Sequence, residues 1–555
     1  MRLRLVNMNS RFSQLYTQTC GLVGYKERKF IRQALERFEE QYTRDKKGVL
    51  ILSAPTGYGK SMITYALYLG SLRAGADWCR VIHVLPMTSI IQDFAENARR
   101  KLGGNLRAGD LAEQHHGAPG SPYFAKRFIV TTLDTFTLNL FKLPAVEVTK
   151  QLRYNTSHFE LPRAMIYSSA VVFDEFHLFA PTETGESRML TVAVSAIKAL
   201  AEAGTPIIII TATMDNKLAE LLKQKISPVA SVVYAQYIPG EDQEWERANR
   251  KEISVIGQTQ TPEKTALELA AQNKSVLIVA NTVHTAIQLF QSLRTNSTAP
   301  DNLLLLHAKL NRNDRNTAME KLNQTKEDGN KIKGGNIVVS TQLVEAGVDV
   351  SFDALITEVA PAQNIVQRAG RVARMGGHGE LYYFAPKNSE DAYEEGIYDP
   401  QQTAACINTL EKLIDNYFEP QKLLGVQSST YSVDPLLERI LAEIEANPVF
   451  TAEDTARVYQ TLCGILRESN IVMAYSESDF TAKSEVPLND KQARRVISQT
   501  LRYVDGEGRM RDFTGNPWGD CLSLKLQHIG AKGVIYPEKW YTPQIGLVIP
   551  KVGTQ

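Results

Sequence analysis

The sequence predicts an α/β fold, two tandem parallel α/β domains followed by a mixed C-terminal accessory domain, and three observations predict it. From Lys47 to Met214, short apolar runs alternate with helix-length patterned segments, which is how parallel strand–helix units read. A polar, charged stretch over 239–252 then breaks the pattern, and a second alternating block follows it. Beyond Pro386 the text changes to helical segments and then to a turn-rich tail with Gly515, Pro517 and Pro543. The boundaries expected from these shifts are a lead over 1–25, a first domain over 26–238, a linker over 239–252, a second domain over 253–386 and an accessory domain over 387–555.

Five runs in the first block read as buried strands: Gly48 to Ser53, Arg80 to Leu85, Arg127 to Thr131, Ala170 to Phe173 and Pro206 to Thr211. In the second block the candidates are Ser275 to Val279, Leu303 to Leu306, Asn336 to Ser340, Ala354 to Glu358 and Glu380 to Phe384. Helices are expected over Glu27 to Phe38, Met62 to Leu72, Pro435 to Asn447 and Thr451 to Glu468.

At 555 residues, with 62 Lys plus Arg against 61 Asp plus Glu, the chain is too long for a single small module and carries a net charge of only +1. Any nucleic acid contact must therefore come from a local groove whose charge the total hides. Cys20, Cys79, Cys406, Cys463 and Cys521 are scattered without the close pairs that zinc or redox motifs need. The adjacent His115 and His116 would point apart on a strand and make a poor metal site. No apolar run approaches the ~18–20 residues of a membrane span. A cytoplasmic protein that meets no membrane is the expectation.

The first chemical signal is Ala54-Pro55-Thr56-Gly57-Tyr58-Gly59-Lys60-Ser61, directly between an expected strand and an expected helix. Such a loop wraps backbone N–H groups around a β-phosphate, sends Lys60 to the β/γ oxygens and leaves Ser61 for Mg²⁺, so ATP and Mg²⁺ are the expected cofactors. Ala54, Thr56, Gly57 and Gly59 line it. The second signal is Val171-Val172-Phe173-Asp174-Glu175-Phe176-His177, an apolar strand that delivers two carboxylates at its end. Asp174 would hold the metal and Glu175 would take the proton of the attacking water.

With Thr211-Ala212-Thr213 placed 34 residues after His177, the chain resembles the superfamily 2 helicases, whose DExH box and Thr-Ala-Thr segment these residues match. The resemblance implies two RecA-like domains with the nucleotide in the cleft between them, and coupling of hydrolysis to motion through His177, Thr211 and Thr213. In the second block, 340–349 with Gly347 and Asp349, and 367–374 with Gln367, Arg371 and Arg374, match the fifth and sixth helicase motifs in order. Arg371 and Arg374, three apart on an expected helix, would share a face and put positive charge on the γ-phosphate. Gln33 resembles the adenine-reading glutamine, since a primary amide both donates and accepts.

A finer resemblance, in His83 to Gln92, Val130 to Phe136, Leu306 to Leu310 and Val344 to Asp349, is to the CRISPR-associated helicases of type I interference. It implies 3′-to-5′ movement on single-stranded DNA, with an RNA-guided effector complex as partner. That family usually carries an HD nuclease fused to the motor. Here about two dozen residues precede the first helicase segment and no His-Asp dipeptide occurs, so the expectation is a standalone helicase whose nuclease is a separate subunit. The alternatives are an RNA or DNA-repair helicase, or a nucleotide-dependent switch that does not translocate. Carried over by motif, the nucleic acid contacts are Pro86, Thr88, Thr131, Thr132, Asn281, Thr282, His307 and Thr341, largely to phosphates. Trp518, Trp540 and Tyr541 are aromatic candidates for stacking.

Overall fold

The computed structural model describes every residue except 1–11, 74, 116–117, 157, 181–187, 213, 298–299, 301, 328–329, 346–349, 375, 386–397, 426–430, 448–450, 463–470, 519–521 and 551–555. Its contacts divide the chain into two compact units, Met1–Glu246 with Ser429–Thr461, and Arg247–Ser428 with Leu462–Gln555.

The first unit is built on eight strands: β1 (Gly48–Ser53), β2 (Arg80–Leu85), β3 (Leu111–His115), β4 (Ala118–Pro119), β5 (Phe128–Thr132), β6 (Ser169–Phe173), β7 (Ile207–Thr211) and β8 (Ser231–Gln236). They lie in the order β4-β3-β5-β2-β6-β7-β1-β8, parallel throughout except for the β3/β4 pair. Strands covered on both faces read as continuous apolar runs, and β1 and β7 are buried at every position. β3 and β8 alternate buried and less buried residues instead, so continuous apolarity did not reveal them. Register brings Ser53 opposite Thr211 and Val84 opposite Phe173. The carboxyl ends of β1, β6 and β7 therefore meet at one edge, where ligands of open α/β sheets bind.

The second unit carries a six-stranded, all-parallel sheet. Its strands are β9 (Lys251–Gln258), β10 (Val276–Val279), β11 (Leu303–Leu306), β12 (Ile337–Ser340), β13 (Ala354–Glu358) and β14 (Gly377–Phe384), in the order β11-β12-β10-β13-β14-β9. β9 begins inside the stretch expected as linker. That stretch also contains a helix, Gln243–Ala248, whose Trp245 packs on Tyr58 and Tyr237. Further along the same unit, β15 (Val472–Ser476), β16 (Val486–Leu488), β17 (Arg502–Asp505), β18 (Met510–Asp512) and β19 (Ala531–Tyr536) form a mixed sheet.

The region expected as one accessory domain over 387–555 is shared between the units. Its helix Pro435–Ala446, N-capped by Asp434, buries Leu437, Leu441 and Ile444. Glu438 pairs with Lys198 at 2.8 Å and Lys225 at 2.9 Å, and Glu445 pairs with Arg163 at 2.6 Å and accepts from the Tyr167 hydroxyl. These partners all belong to the first unit, so apolar burial and charge complementarity together carry the helix back to it.

Candidate active site

The phosphate loop starts where β1 ends. Ala54 N–H donates to Thr211 O at 3.1 Å, which ties the loop to the end of β7. Gly57 and Gly59 take φ of 82° and 92°, values that suit glycine because no Cβ obstructs them. At Gly59 a Cβ would also collide with the Tyr25 ring. Tyr58, between them, is buried: its hydroxyl donates to Asp242 at 3.3 Å, and the Arg28 guanidinium lies 5.4 Å over its ring. Thr56 and Gly57 stay exposed at the rim. Lys60 Nζ donates to Ala54 O at 2.7 Å and Pro55 O at 3.0 Å, which lays the side chain along the inside of the loop. Ser61 immediately precedes the helix Met62–Ser71, so orphan N–H groups of the first turn face the loop.

Asp174 and Glu175 follow β6. Asp174 N–H donates to Val84 O at 2.9 Å, while its own Oδ1 accepts from Glu175 N–H at 2.8 Å. Burial works to raise the Asp174 carboxyl. His83 beside it and the Lys60 ammonium outweigh burial and hold it below the usual carboxylate range, so it stays ionised. Glu175 adopts φ of 50°, a left-handed conformation rare for a side-chain-bearing residue and common at functional positions. His177 Nδ1 and Thr211 Oγ1 are 2.7 Å apart. Burial, then the Lys60 ammonium, pushes the His177 imidazole down to about 3, so it works as a neutral ring. The structure thus brings Lys60, Asp174, Glu175, His177 and Thr211 together. Thr213, Gly347 and Asp349 lie outside the described residues.

In the second unit one expectation needs correction. The helix Ala362–Ala369, which carries Gln367, ends before Arg371 and Arg374, so they lie in the following turn and do not share a helix face. The turn is fixed by strand-like pairing: Phe352 N–H donates to Arg371 O, Ala373 N–H donates to Phe352 O, and Ala373 takes φ of 45°. Arg371 Nε donates to Val344 O and its Nη2 to Glu345 O, both at 2.7 Å. Arg374 N–H donates to the Ser351 hydroxyl. Burial, with the charges of Arg374 and Arg371 close by, pushes the Lys251 ammonium down to about 8, so β9 adds a third cation to this neighbourhood.

Sequence reasoning missed Arg368. It is fully buried, donating to Glu345 Oε1 at 2.7 Å, to Thr357 Oγ1 and Glu358 O at 2.9 Å, to Asn281 Oδ1 at 3.0 Å and to Tyr398 Oη at 3.2 Å. The available signal was its place on the apolar face of its helix, with Ala362, Ile365 and Ala369.

The nucleic acid candidates separate by exposure. Thr88 is exposed at the start of the helix Thr88–Leu102, beside a partly buried Pro86. Thr132 and Thr282 cap helices, accepting from Thr135 N–H and Thr285 N–H. The buried Thr131 hydroxyl donates to Gln114 O, and Thr341 is buried. Asn281 Nδ2 donates to Val359 O. Burial pushes His307 down to about 4, and its Nε2 lies 2.9 Å from Ile545 O. Gln33 is exposed on the helix Lys29–Asp45. Trp518 is half exposed, whereas Trp540 and Tyr541 pack on the C-terminal core and the Tyr541 hydroxyl donates to Asp314 at 2.7 Å. His115 lies on β3, and His116 is outside the described residues. No described helix is long and apolar enough to cross a membrane.

Two family models match the chain. The family model described as DEAD/DEAH box helicase matches residues 32–221, and that described as CRISPR-associated nuclease/helicase Cas3, C-terminal, matches residues 272–377. The chain is 25% identical over 410 residues to the CRISPR-associated helicase Cas3 of Thermoproteus tenax, covering 71% of this chain and 66% of that protein. It is 24% identical over 490 residues to the CRISPR-associated nuclease/helicase Cas3 of Methanothermobacter thermautotrophicus, covering 82% and 56%. It therefore spans between half and two thirds of the length of these relatives. The structure of T. fusca Cas3-AMPPNP superposes with a TM-score of 0.62 at 15% identity, covering 98% of this chain and 72% of that one, a likeness that shows the tandem RecA-like fold. The chain carries a DEAD/DEAH box helicase domain followed by a Cas3-like C-terminal helicase domain.

Proposed function

We propose that this chain is an ATP-driven helicase of type I CRISPR interference, moving 3′ to 5′ along single-stranded DNA opened by an RNA-guided effector complex. The convergence of Lys60, Asp174, Glu175, His177 and Thr211 at the ends of β1, β6 and β7 carries the reading. Support also comes from the matched helicase domains and from the nucleotide analogue named in the T. fusca structure.

The residues present fit a Mg²⁺ ion. Asp174 is kept ionised although buried, and Ser61 offers a hydroxyl at the helix start. Mg²⁺ takes one or two carboxylates with water and phosphate oxygens rather than an all-protein cage, and no cluster of three or more ligating side chains occurs among the described residues. When bound, the ion neutralises charge on the β/γ oxygens. Lys60 would turn from its loop carbonyls to those oxygens. Glu175 would orient the attacking water and take its proton. Neutral His177, bonded to Thr211, would relay the state of the nucleotide into β7. Arg371 and Arg374 would add positive charge to the γ-phosphate. We assign strand cleavage to a separate nuclease subunit.

ATP turnover measured with single-stranded DNA, single-stranded RNA and no nucleic acid tests the reading. DNA-stimulated turnover with strand displacement and no cleavage supports it. Stimulation by RNA instead, or turnover without displacement, refutes it.

A further inference from the structure

We propose that His83 is a positioning residue for Asp174, linking that carboxylate to the helix that follows the phosphate loop. The inference rests on the reading above and adds to it a residue that the motifs do not contain. His83 lies in β2 with a side chain wholly shielded from solvent, among Val81, Ile82, Val84 and Leu85. An apolar side chain would fill such a place without the cost of burying two ring nitrogens. Both nitrogens instead face residues around the site. Nδ1 is 2.9 Å from Thr64 Oγ1, on the helix that follows the phosphate loop, and Nε2 is 3.4 Å from Asp174 Oδ2. The ring stacks on Phe94 at 3.8 Å and 15°, and Phe94 belongs to the helix that starts at the exposed Thr88.

The Thr64 contact assigns a tautomer once the hydroxyl is taken as donor. With the Thr64 hydroxyl donating to Nδ1, the ring proton sits on Nε2, aimed at Asp174 Oδ2. Oδ1 already accepts from Glu175 N–H, and Oδ2 faces Nε2 at ion-pair distance without a formed hydrogen bond, so the ring is the group placed to steady that second oxygen. Val84, the next residue of the same strand, accepts from Asp174 N–H. β2 thus holds the Asp174 backbone through Val84 and brings the His83 ring against its carboxylate. Partners of this kind set the orientation of a metal-binding group, and their loss typically costs ~10–100-fold in metal affinity.

The test is a Mg²⁺ titration of fluorescent, non-hydrolysable ATP analogue binding to the full chain, repeated in EDTA, with a thermal melt of each variant. His83→Phe keeps the stack and removes both nitrogens. It should raise half-saturating Mg²⁺ by about ten-fold or more while analogue affinity in EDTA and the melting temperature stay near wild type. His83→Gln, which returns a donor, should recover part of the loss. Thr64→Val leaves His83 in place, frees its tautomer and should shift Mg²⁺ dependence in the same direction, so it carries the test if His83→Phe misfolds. Unchanged Mg²⁺ dependence in the variants, or a loss equally large in EDTA, overturns the inference. Wild-type protein whose analogue binding ignores Mg²⁺ sinks the proposed function and the inference with it.

Discussion

Lys60 and Arg371 each donate to two backbone carbonyls, but the carbonyls are of different kinds. Those of Lys60 belong to its own loop, five and six residues back, whereas those of Arg371 belong to Val344 and Glu345, 27 and 26 residues away in sequence. The first unit holds its phosphate-handling cation by a local motif that closes on itself. The second holds its cation by joining two distant segments, with the buried Arg368–Glu345 pair beneath them. A substitution at the first site should therefore be a chemical lesion, and one at the second should also disturb the placement of a neighbouring segment.

The largest effect should come from Lys60→Ala, which abolishes ATP turnover because it removes the charge offered to the β/γ oxygens while leaving the fold intact. Glu175→Gln should instead bind ATP and DNA and fail to hydrolyse, since the amide keeps the shape but takes no proton. A coupled ATPase assay beside a filter-binding assay separates the two. Wild-type turnover in Lys60→Ala would break the comparison at its first term.

Next, Arg371→Ala and Arg374→Ala should each lower the single-turnover rate by ~10³-fold with much less change in nucleotide affinity. Lys should rescue poorly, having the charge without the planar fork. Normal hydrolysis in both Ala variants would remove these arginines from the reaction.

Arg368→Met sharpens the contrast on stability. It leaves the Glu345 carboxylate buried without its cation, and breaking such a pair costs about 3–5 kcal/mol. Urea unfolding should show that loss for Arg368→Met and none for Lys60→Ala. Equal stability of the two proteins would show that the second unit does not depend on its buried pair.

The smallest effect is on pH dependence. His177 is pushed down to about 3 and His307 to about 4, one in each unit. Both are neutral when folded and titrate near ~6.5 when unfolded, so the unfolded chain takes up protons first as pH falls. Their contribution is complete above about pH 6.5 and declines as pH drops towards 4 and 3, on the order of 2 kcal/mol each by pH 5. Melting temperature should fall from pH 7 to pH 5, and His307→Asn should flatten the slope. An unchanged slope would mean that His307 does not titrate on unfolding.

How legible these residues were in the sequence follows from how local their signals are. Asp174 and Glu175 stand directly after an apolar run that reads as a buried strand, and Lys60 closes the glycine-bearing loop that follows another, so position and chemistry could be read together. β1, β2, β11 and β13 have the expected bounds for the same reason. His83 sits inside such a run, and nothing in a run says which interior residue faces a carboxylate at the end of the neighbouring strand. The helix ends at Ala369, which takes Arg371 and Arg374 off the shared face their spacing predicts. The spacing of Leu437, Leu441 and Ile444 announces a buried helix face, but an apolar stripe does not name its cover. That cover proved to be in the first unit.

The return of the helix Pro435–Ala446 has a consequence for synthesis. The first unit is discontinuous: the 182 residues Arg247–Ser428, most of the second unit's core, are made between Glu246 and the segment that completes it. At the usual ~5–20 residues per second, the surface around Lys198, Lys225 and Arg163 waits roughly 10–40 seconds on the ribosome for the carboxylates of Glu438 and Glu445. During that interval the nascent first unit presents an uncovered apolar and basic face, which a holdase chaperone or an acidic ligand would bind and mature protein would not.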